Sequence, residues 1–195
     1  SGDFAWVFGI EEDNYENDSE AYLYTPGFDF SIVGNYTFNF AAKYSFEDTW
    51  DGFIVEYSFD KGNTWKKLND VQEDGWYNTI SDPQSVFGDQ VPIFSGSTNN
   101  EFIDYSVDVS MLSGHSSVSF RFKILTDAAT TDIGIALDDV FVTAPEAGPI
   151  EVGFSADGIT GCAGQEIVFR STSTGSIDLM IWDFGENAEP PNASG

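Results

Sequence analysis

Large apolar side chains occupy every second position in several short segments of this chain. Residues 36–44 and 53–59 show this pattern, and residues 118–124 repeat it with serine, arginine and lysine on the alternate positions. A period of two is that of a strand with one buried face. No window of a dozen residues shows a convincing helical repeat, and Gly, Asn, Asp and Pro clusters separate the segments. The pattern therefore predicts an all-β fold, an antiparallel sandwich.

Two long loops interrupt the predicted strands. Residues 11–20 hold six carboxylates in ten positions, and residues 69–100 are rich in Gly, Asp, Ser and Asn. Long loops inside a compact domain are often functional. The remaining predicted strands cover residues 4–8, 22–25, 102–109 and 133–142, with a short one near 90–94.

A segment containing proline and glycine, residues 145–149, breaks the alternation and is typical of an interdomain linker. Residues 1–144 therefore form one predicted domain and residues 150–195 a second. In the second domain the alternation resumes at 150–156, 166–171 and 179–184. Three strands are marginal for an independent sandwich.

The charge balance of the chain is strongly acidic. There are 33 Asp and Glu side chains against 7 Lys and Arg, a formal net charge of -26. Such a surface repels phosphate backbones and anionic lipid headgroups, so binding to nucleic acid or insertion into a membrane is not expected. Carboxylate oxygens are the ligands that Ca²⁺ prefers, and a structural calcium ion is predicted. The alternative is that the acidity serves solubility alone.

The chain contains a single cysteine, Cys162, so its first domain cannot form an internal disulfide. Animal extracellular domains of this size usually carry disulfides. Their absence indicates bacterial secretion or the cytosol, and the Asn-rich, Lys-poor, acidic surface favours secretion. No stretch of the sequence has the length of a membrane span or the apolar region of a signal peptide. The predicted location is secreted or at the cell surface.

The candidate calcium ligands are carboxylates near the ends of predicted strands: Asp18, Glu20, Asp51, Asp138 and Asp139. Neighbouring side chains of a strand face opposite ways, and alternation with positions 133, 135 and 137 assigns an inward direction to Asp139. A buried carboxylate needs a cation or several hydrogen bonds. One hypothesis is a Ca²⁺ held by Asp139 and the 11–20 loop. The other is a carboxylate that caps loop backbone N–H groups without a metal.

Three aromatic residues lie in predicted loops rather than in alternating strands: Trp50, Trp76 and Tyr77. Loop aromatics stack on sugars or anchor protein interfaces, so these are candidate ligand-binding residues. The alternative is that Trp76 and Tyr77 anchor the long loop to the sandwich.

Catalytic groups are scarce in this sequence. His115 is the only histidine, which leaves zinc sites and Ser-His-Asp triads without the residues they need. A pair of carboxylates at the spacing of a glycosidase is expected by chance among so many acids. No enzyme activity is predicted.

Residues 58–65, S-F-D-K-G-N-T-W, are similar to an Asp-box. Asp60 can accept backbone N–H bonds, Gly62 permits a positive φ, and Trp65 can pack back under the turn. The motif predicts a hairpin turn with a structural role.

The segment 134–140, G-I-A-L-D-D-V, resembles the signature that closes MAM and MAM-like jelly rolls. Other segments follow in the order of that family, namely Trp6, A-Y-L-Y-T-P at 21–26, the strand at 38–44 and D-G-F-I-V-E-Y-S at 51–58. The resemblance covers roughly residues 4–143 and is closest to the MAM-like sandwiches of bacterial secreted proteins, including adhesins and metalloproteases of Bacteroidetes. It implies a jelly-roll antiparallel β-sandwich without the cysteines of animal MAM domains.

Residues 163–169, A-G-Q-E-I-V-F, and 181–185, I-W-D-F-G, resemble the first half of a PKD domain. Glu186-Asn187 stands where that family has Asp-Gly, and its later strands are missing. The resemblance implies a truncated, immunoglobulin-like β-sandwich. It also implies that Cys162 is unpaired, because the partner of this cysteine in bacterial PKD domains lies downstream.

Together these features predict a non-catalytic extracellular recognition or adhesion module, stabilised by calcium, of a larger secreted or surface-anchored bacterial protein. The predicted partners are an extracellular protein or a glycan, and other domains of the parent chain. The alternatives are a carbohydrate-binding module, an accessory domain of a secreted metalloprotease and a structural spacer.

Overall fold

The computed structural model describes residues 4–9, 14–69, 76–145, 151–158, 166–175 and 180–184, together with the backbone of 192–194. The chain divides into two compact units, Ser1–Pro145 and Glu146–Gly195. The strands are β1 (Trp6–Phe8), β2 (Glu20–Tyr24), β3 (Phe28–Phe30), β4 (Thr37–Ser45), β5 (Gly52–Ser58), β6 (Lys66–Lys67), β7 (Thr79–Ile80), β8 (Pro92–Ile93), β9 (Ile103–Asp108), β10 (His115–Leu125), β11 (Gly134–Thr143), β12 (Phe154–Ala156), β13 (Phe169–Ser171), β14 (Ile181–Asp183) and β15 (Asn192–Ser194). A 3₁₀ turn spans Ser110–Leu112.

Two antiparallel sheets build the first unit. One has the strand order β1-β11-β4-β9, and the other has the order β2-β10-β5-β6, with β3 also pairing with β10. Strands β7 and β8 form a separate antiparallel pair. Most neighbours in the sheets, such as β1 with β11 and β2 with β10, come from distant parts of the chain. The prediction of an all-β, antiparallel fold is confirmed.

Strand β10 shows why the alternating sequence forms this structure. Its side chains Val118, Phe120, Phe122 and Ile124 are fully buried, whereas the alternate serine, arginine and lysine positions are half-buried on the opposite face. Because successive strand residues point to opposite faces, one sequence pattern supplies both the core and the polar surface.

Contacting aromatic rings, one pair stacked and one pair edge-to-face, join the two sheets across the core. The rings of Phe38 on β4 and Phe120 on β10 have centroids 4.1 Å apart, and those of Phe40 and Phe122 are 4.9 Å apart. All four side chains are at most 1% exposed. Burying each phenyl group removes apolar surface from water and contributes about 2–3 kcal/mol, so these rings dominate the stability of the unit.

A β-bulge changes the facing of residues along β11. Asp138 pairs with Ala41 and Phe141 with Asn39, so β11 carries one extra residue at this point. Asp139 lies in the bulge with φ of 48° and is exposed. The prediction that Asp139 faces inward is therefore wrong, because the bulge shifts the alternation by one position. Val140 packs against the core in its place.

The Asp-box forms the hairpin turn between β5 and β6. Asp60 accepts hydrogen bonds from the Thr64 N–H at 2.9 Å and from the Thr64 hydroxyl at 2.6 Å. These bonds stabilise the charged carboxylate and lower the pKa of Asp60 to about 2. Gly62 has φ of 83°, and Trp65 donates its indole N–H to the Gly62 carbonyl. The predicted turn geometry is confirmed.

The described part of the second unit consists of two strand pairs, β12 with β13 and β14 with β15. The first three of these strands fall within predicted segments, and β15 was not predicted. Its aromatic side chains contact one another, with Trp182 and Phe184 stacked at 6.1 Å. Residues 146–149 of the predicted linker and Cys162 lie outside the described residues.

Among the residues that the structure describes, no helix has the length and apolar character needed to cross a lipid bilayer.

Candidate functional site

Three loops meet at one end of the first unit. They are residues 14–19 before β2, residues 46–51 between β4 and β5, and residues 126–133 between β10 and β11. Backbone hydrogen bonds tie the first loop to the third, from Tyr15 N to the Asp132 carbonyl at 2.9 Å and from Asp18 N to the Asp127 carbonyl at 2.7 Å. This end of the sandwich is therefore a defined structure built by long-range contacts.

Three carboxylates converge where these loops meet. Glu47, Asp51 and Asp127 each place a carboxylate oxygen within 4.8 Å of the other two. Asp51 is 0% exposed, and the other two are half-buried. Within the described residues, this is the only group of three or more acidic, histidine or cysteine side chains with this spacing. We refer to it as the carboxylate cluster.

Asp51 is the centre of this cluster and accepts two hydrogen bonds. The Tyr15 hydroxyl donates to Oδ2 at 2.8 Å, and the Asp127 backbone N–H donates to Oδ1 at 2.7 Å. Burial raises the pKa of Asp51, these two bonds oppose the rise, and the charges of Asp127 and Glu47 add to it. The negative charge at Asp51 is therefore only partly compensated by protein groups.

Glu47 is held rigidly but lacks a partner for one oxygen. Its carbonyl accepts hydrogen bonds from the Asp51 N–H at 3.0 Å and the Ser95 hydroxyl at 3.1 Å. Its Oε2 atom is buried and has no hydrogen-bond partner among the described residues. A buried carboxylate oxygen without a partner is costly, and a cation placed among the three carboxylates would remove that cost.

The chemistry of the cluster suits a hard divalent cation. All its potential ligands are oxygen atoms, as Ca²⁺ prefers, and bound Ca²⁺ completes its shell of six to eight ligands with carbonyl groups and water. With three carboxylates close together, the apo site carries unfavourable repulsion between like charges. Ca²⁺ bound there would tie together the loops that supply the three side chains.

Of the five predicted metal ligands, the structure places Asp51 in the cluster. Asp18 supplies a backbone N–H to the same loop junction. Glu20 forms a salt bridge with Lys123 at 3.2 Å and accepts a hydrogen bond from the Tyr22 hydroxyl. Asp138 and Asp139 lie at the bulge of β11, where Asp138 accepts the Asp139 N–H at 2.7 Å. The structure does not bring these last three carboxylates together with Asp51.

Sequence reasoning missed two members of the cluster, Glu47 and Asp127. The alternating pattern predicts β5 and β10 but not their register. In that register Leu125 pairs with Gly52, so the residues just beyond the end of β10 and just before β5 are neighbours. Acidic residues at those two ends, Asp51 and Asp127, were the available signal.

The predicted ligand-binding aromatics have different surroundings. Trp76 and Tyr77 are 4% and 1% exposed, and the Tyr77 hydroxyl donates to the Leu68 carbonyl at 3.0 Å. Their rings pack in the core beside Phe94, and their contact with a ligand stays a prediction. They anchor the long loop, which was the alternative interpretation. Trp50 is half-buried in the turn next to the carboxylate cluster.

Comparisons with known proteins find similarity only to solved structures, at low sequence identity. No family model matches the chain, and no curated protein matches it. The chain is similar to the K1 cleaved adhesin domain of Lys-gingipain from Porphyromonas gingivalis W83, with 16% identity and a TM-score of 0.33 over 64% of this chain and 63% of that one. For the K3 cleaved adhesin domain of Lys-gingipain, identity is 17% and the TM-score is 0.37, over 72% of this chain and 71% of that one.

The chain thus spans just under two thirds of the K1 domain structure. TM-scores this low do not define a shared fold, so the all-β assignment rests on the strands and pairings of this chain itself.

Proposed function

We propose that this chain is a non-catalytic extracellular recognition or adhesion module whose loop end is held by calcium. The observation that carries the proposal is the carboxylate cluster, in which Asp51 is completely buried beside two further carboxylates. Groups this costly to bury are retained where a bound cation offsets the cost. The cation in turn fixes the loops that a recognition module presents.

The proposed extracellular location agrees with the proposed calcium site. Extracellular modules bind Ca²⁺ with dissociation constants of about 10⁻⁴–10⁻³ M, a range suited to sites that only rigidify loops. Three carboxylates from two loops, 46–51 and 126–133, fit such a site. The net charge of -26 and the single cysteine agree with secretion by a bacterium. The MAM-like and PKD-like assignments, and a larger parent protein, remain part of this proposal.

The absence of catalysis is proposed from the inventory of reactive groups. The only histidine, His115, begins β10 and stacks on Phe59 with ring centroids 4.7 Å apart. A stacked imidazole at a strand end is placed for packing rather than for proton transfer. The carboxylates of the cluster are packed against hydrogen-bond donors and one another, and that arrangement favours a structural role.

The proposed function is tested by binding measurements on immobilised glycans and extracellular matrix proteins, with the chain in millimolar calcium. Specific retention on at least one surface is expected. Chelation and the substitution Asp127→Asn should both weaken that retention, because the loops lose their common anchor. Failure to bind any member of either panel would contradict a recognition role. Equal retention with and without calcium would contradict the role of the cation.

The accessory-domain alternative makes a different prediction. If the chain assists a secreted metalloprotease, it should bind the catalytic domain of its parent protein or raise its activity on large substrates. No described contact favours that alternative over free recognition. The carbohydrate-binding alternative is favoured by a groove on the four-stranded sheet β1-β11-β4-β9.

A further inference from the structure

A groove of about 400 Å³ lies on the outer face of the four-stranded sheet. It is centred on the row in which Val7, Ala136 and Lys43 stand side by side on β1, β11 and β4. Their strand neighbours Phe8, Ile135 and Tyr44 face the core, so this row faces outward. The groove shares no lining residue with the carboxylate cluster.

Two glycines make the floor of this groove from backbone alone. Gly9 and Gly134 have φ of 78° and 96°, conformations that favour glycine. A Cβ atom on Gly134 would lie 2.0 Å from the Phe8 carbonyl oxygen. Strands β1 and β11 therefore approach closely here, and a recess remains between the exposed side chains of Val7 and Ile133.

A tight turn forms the polar wall of the groove. Asn99 and Asn100 have φ of 54° and 66°, and the Glu101 N–H donates to the Thr98 carbonyl at 3.2 Å. This is the geometry of a type I′ turn, in which both central residues have positive φ. The Thr98 N–H also donates to the Tyr44 carbonyl at 2.9 Å, which fixes the turn to β4. The two exposed amides are thereby held at the rim.

The groove differs in charge from the rest of the molecule. Its described lining contains no carboxylate, although the chain has 33 acidic residues and only 7 basic ones. Its one charged side chain is Lys43. The lysine and arginine of β10, Lys123 and Arg121, form salt bridges with carboxylates. None of the salt bridges of the described residues includes Lys43, whose ammonium group lies 5.7 Å from the centre of the Phe102 ring.

We propose that this groove binds an acidic sugar, a glycan unit that carries a carboxylate. The Lys43 ammonium pairs with the carboxylate, which is a charge-assisted interaction in a recess whose described lining contains no acidic residue. The amides of Asn99 and Asn100 bond the sugar hydroxyls, and Val7 and Ile133 cover its C–H face. The volume lies within the range of about 300–1,000 Å³ found for small-ligand sites. This inference rests on the proposed recognition function and specifies one ligand class for it.

The test is a titration of the calcium-loaded chain, followed by backbone NMR, with sialyllactose and with lactose as its neutral counterpart. Shifts are expected at the amides of Ser97, Asn99 and Ala136, with sialyllactose binding at least about tenfold more tightly. Lys43→Gln should remove that preference. Lys61→Asn is the matched control, because it deletes the same charge from the exposed hairpin turn, where φ of 61° suits asparagine.

A second variant, Asn99→Asp, adds a negative charge at the rim and keeps a residue that tolerates positive φ. It should weaken the binding of sialyllactose more than the binding of lactose. Equal affinities for the two sugars, equal effects of Lys43→Gln and Lys61→Asn, or shifts confined to other residues would overturn the proposal. So would retention of the chain on a protein surface with no acidic-sugar binding, and in that case the recognition function itself would stand.

Discussion

Both compact units contain pairs of phenylalanine rings in contact, but the solvent exposure of those rings differs between the units. In the first unit, Phe38 and Phe120 stack with centroids 4.1 Å apart and are both 0% exposed. In the second unit, Phe154 and Phe169 have centroids 6.2 Å apart and are 65% and 38% exposed. No described residue of the second unit (151–158, 166–175, 180–184) is buried. Contact between rings is therefore present in both units, and among the described residues the rings are enclosed only in the first.

This difference shows what produces a core. Between the two sheets of the first unit, each inward ring is covered on all sides. The described strands of the second unit form two separate two-stranded pairs, and such pairs are marginally stable by themselves. The free energy gained by an aromatic residue scales with the apolar area removed from water, so similar ring contacts contribute unequally in the two units. The stability of this chain is thus expected to reside in the first unit.

The largest effect is expected from Phe122→Ala in the first unit. The Phe122 ring is fully buried between Phe40 and Phe38, so its removal leaves a cavity that the two sheets cannot fill. The substitution should lower the free energy of unfolding by about 3–5 kcal/mol, measured by urea denaturation. A loss below about 1 kcal/mol would mean that this core is not closed.

Burial is unfavourable for a charged group such as the Asp51 carboxylate. The stability of the calcium-free protein should therefore depend on pH. Since burial raises the pKa of Asp51, its contribution to stability is full below the unfolded value and is lost as the pH rises through the folded pKa. In chelator, the Tm of the wild type should therefore fall by a few degrees as the pH rises above the ordinary range of an aspartate carboxyl group.

The matched variant for this prediction is Asp51→Asn, which cannot titrate and keeps a similar shape. Its Tm profile in chelator should be flatter over the same pH range. Parallel profiles for the two proteins would show that the charge of Asp51 does not limit the stability of the calcium-free fold.

A smaller effect is expected at the hairpin turn of the first unit. Gly62→Ala forces alanine into a φ of 83° and places its Cβ 3.4 Å from the Trp65 ring, so a loss of about 1 kcal/mol is expected in the free energy of unfolding. Gly88→Ala is the control, because it has φ of 89° and nothing within 4 Å of the added atom. Since 3.4 Å is an ordinary van der Waals distance and the two φ values are similar, the two losses should be similar, and a much larger loss for Gly62→Ala would contradict the backbone conformation as its main cause.

The smallest effect is expected from Phe169→Ala in the second unit. This side chain is 38% exposed and lies in a pair of only two strands, so its loss should lower the free energy of unfolding by less than about 1 kcal/mol. Calorimetry of the whole chain gives the measurement. A loss comparable to that of Phe122→Ala would show that the second unit encloses its aromatic residues as fully as the first.

Much of the first unit was predictable because its strands alternate. The inward positions of β4, β5 and β10 follow directly from the sequence period, and the Asp-box defined its own turn. The orientation of Asp139 could not be predicted in the same way, because a bulge depends on how β11 pairs with β4 and leaves no mark in the alternation.

The site was predicted only through Asp51. Glu47 and Asp127 join it because the register of β10 against β5 and a turn held by Ser95 bring loop ends together, and these are tertiary contacts between distant segments. Trp76 shows a second way in which the sequence pattern misleads. A loop position suggests exposure, yet a loop that folds into the open side of a sandwich buries its aromatic residues.

The most direct measurement of the central claim is calcium binding by calorimetry to the wild type, to Asp127→Asn and to Asp139→Asn. The structure places Asp127 in the carboxylate cluster and Asp139 at an exposed bulge. We predict that wild type and Asp139→Asn bind Ca²⁺ with the same affinity, and that Asp127→Asn binds it at least about tenfold more weakly. Unchanged binding in Asp127→Asn, or no binding in the wild type, would contradict the account.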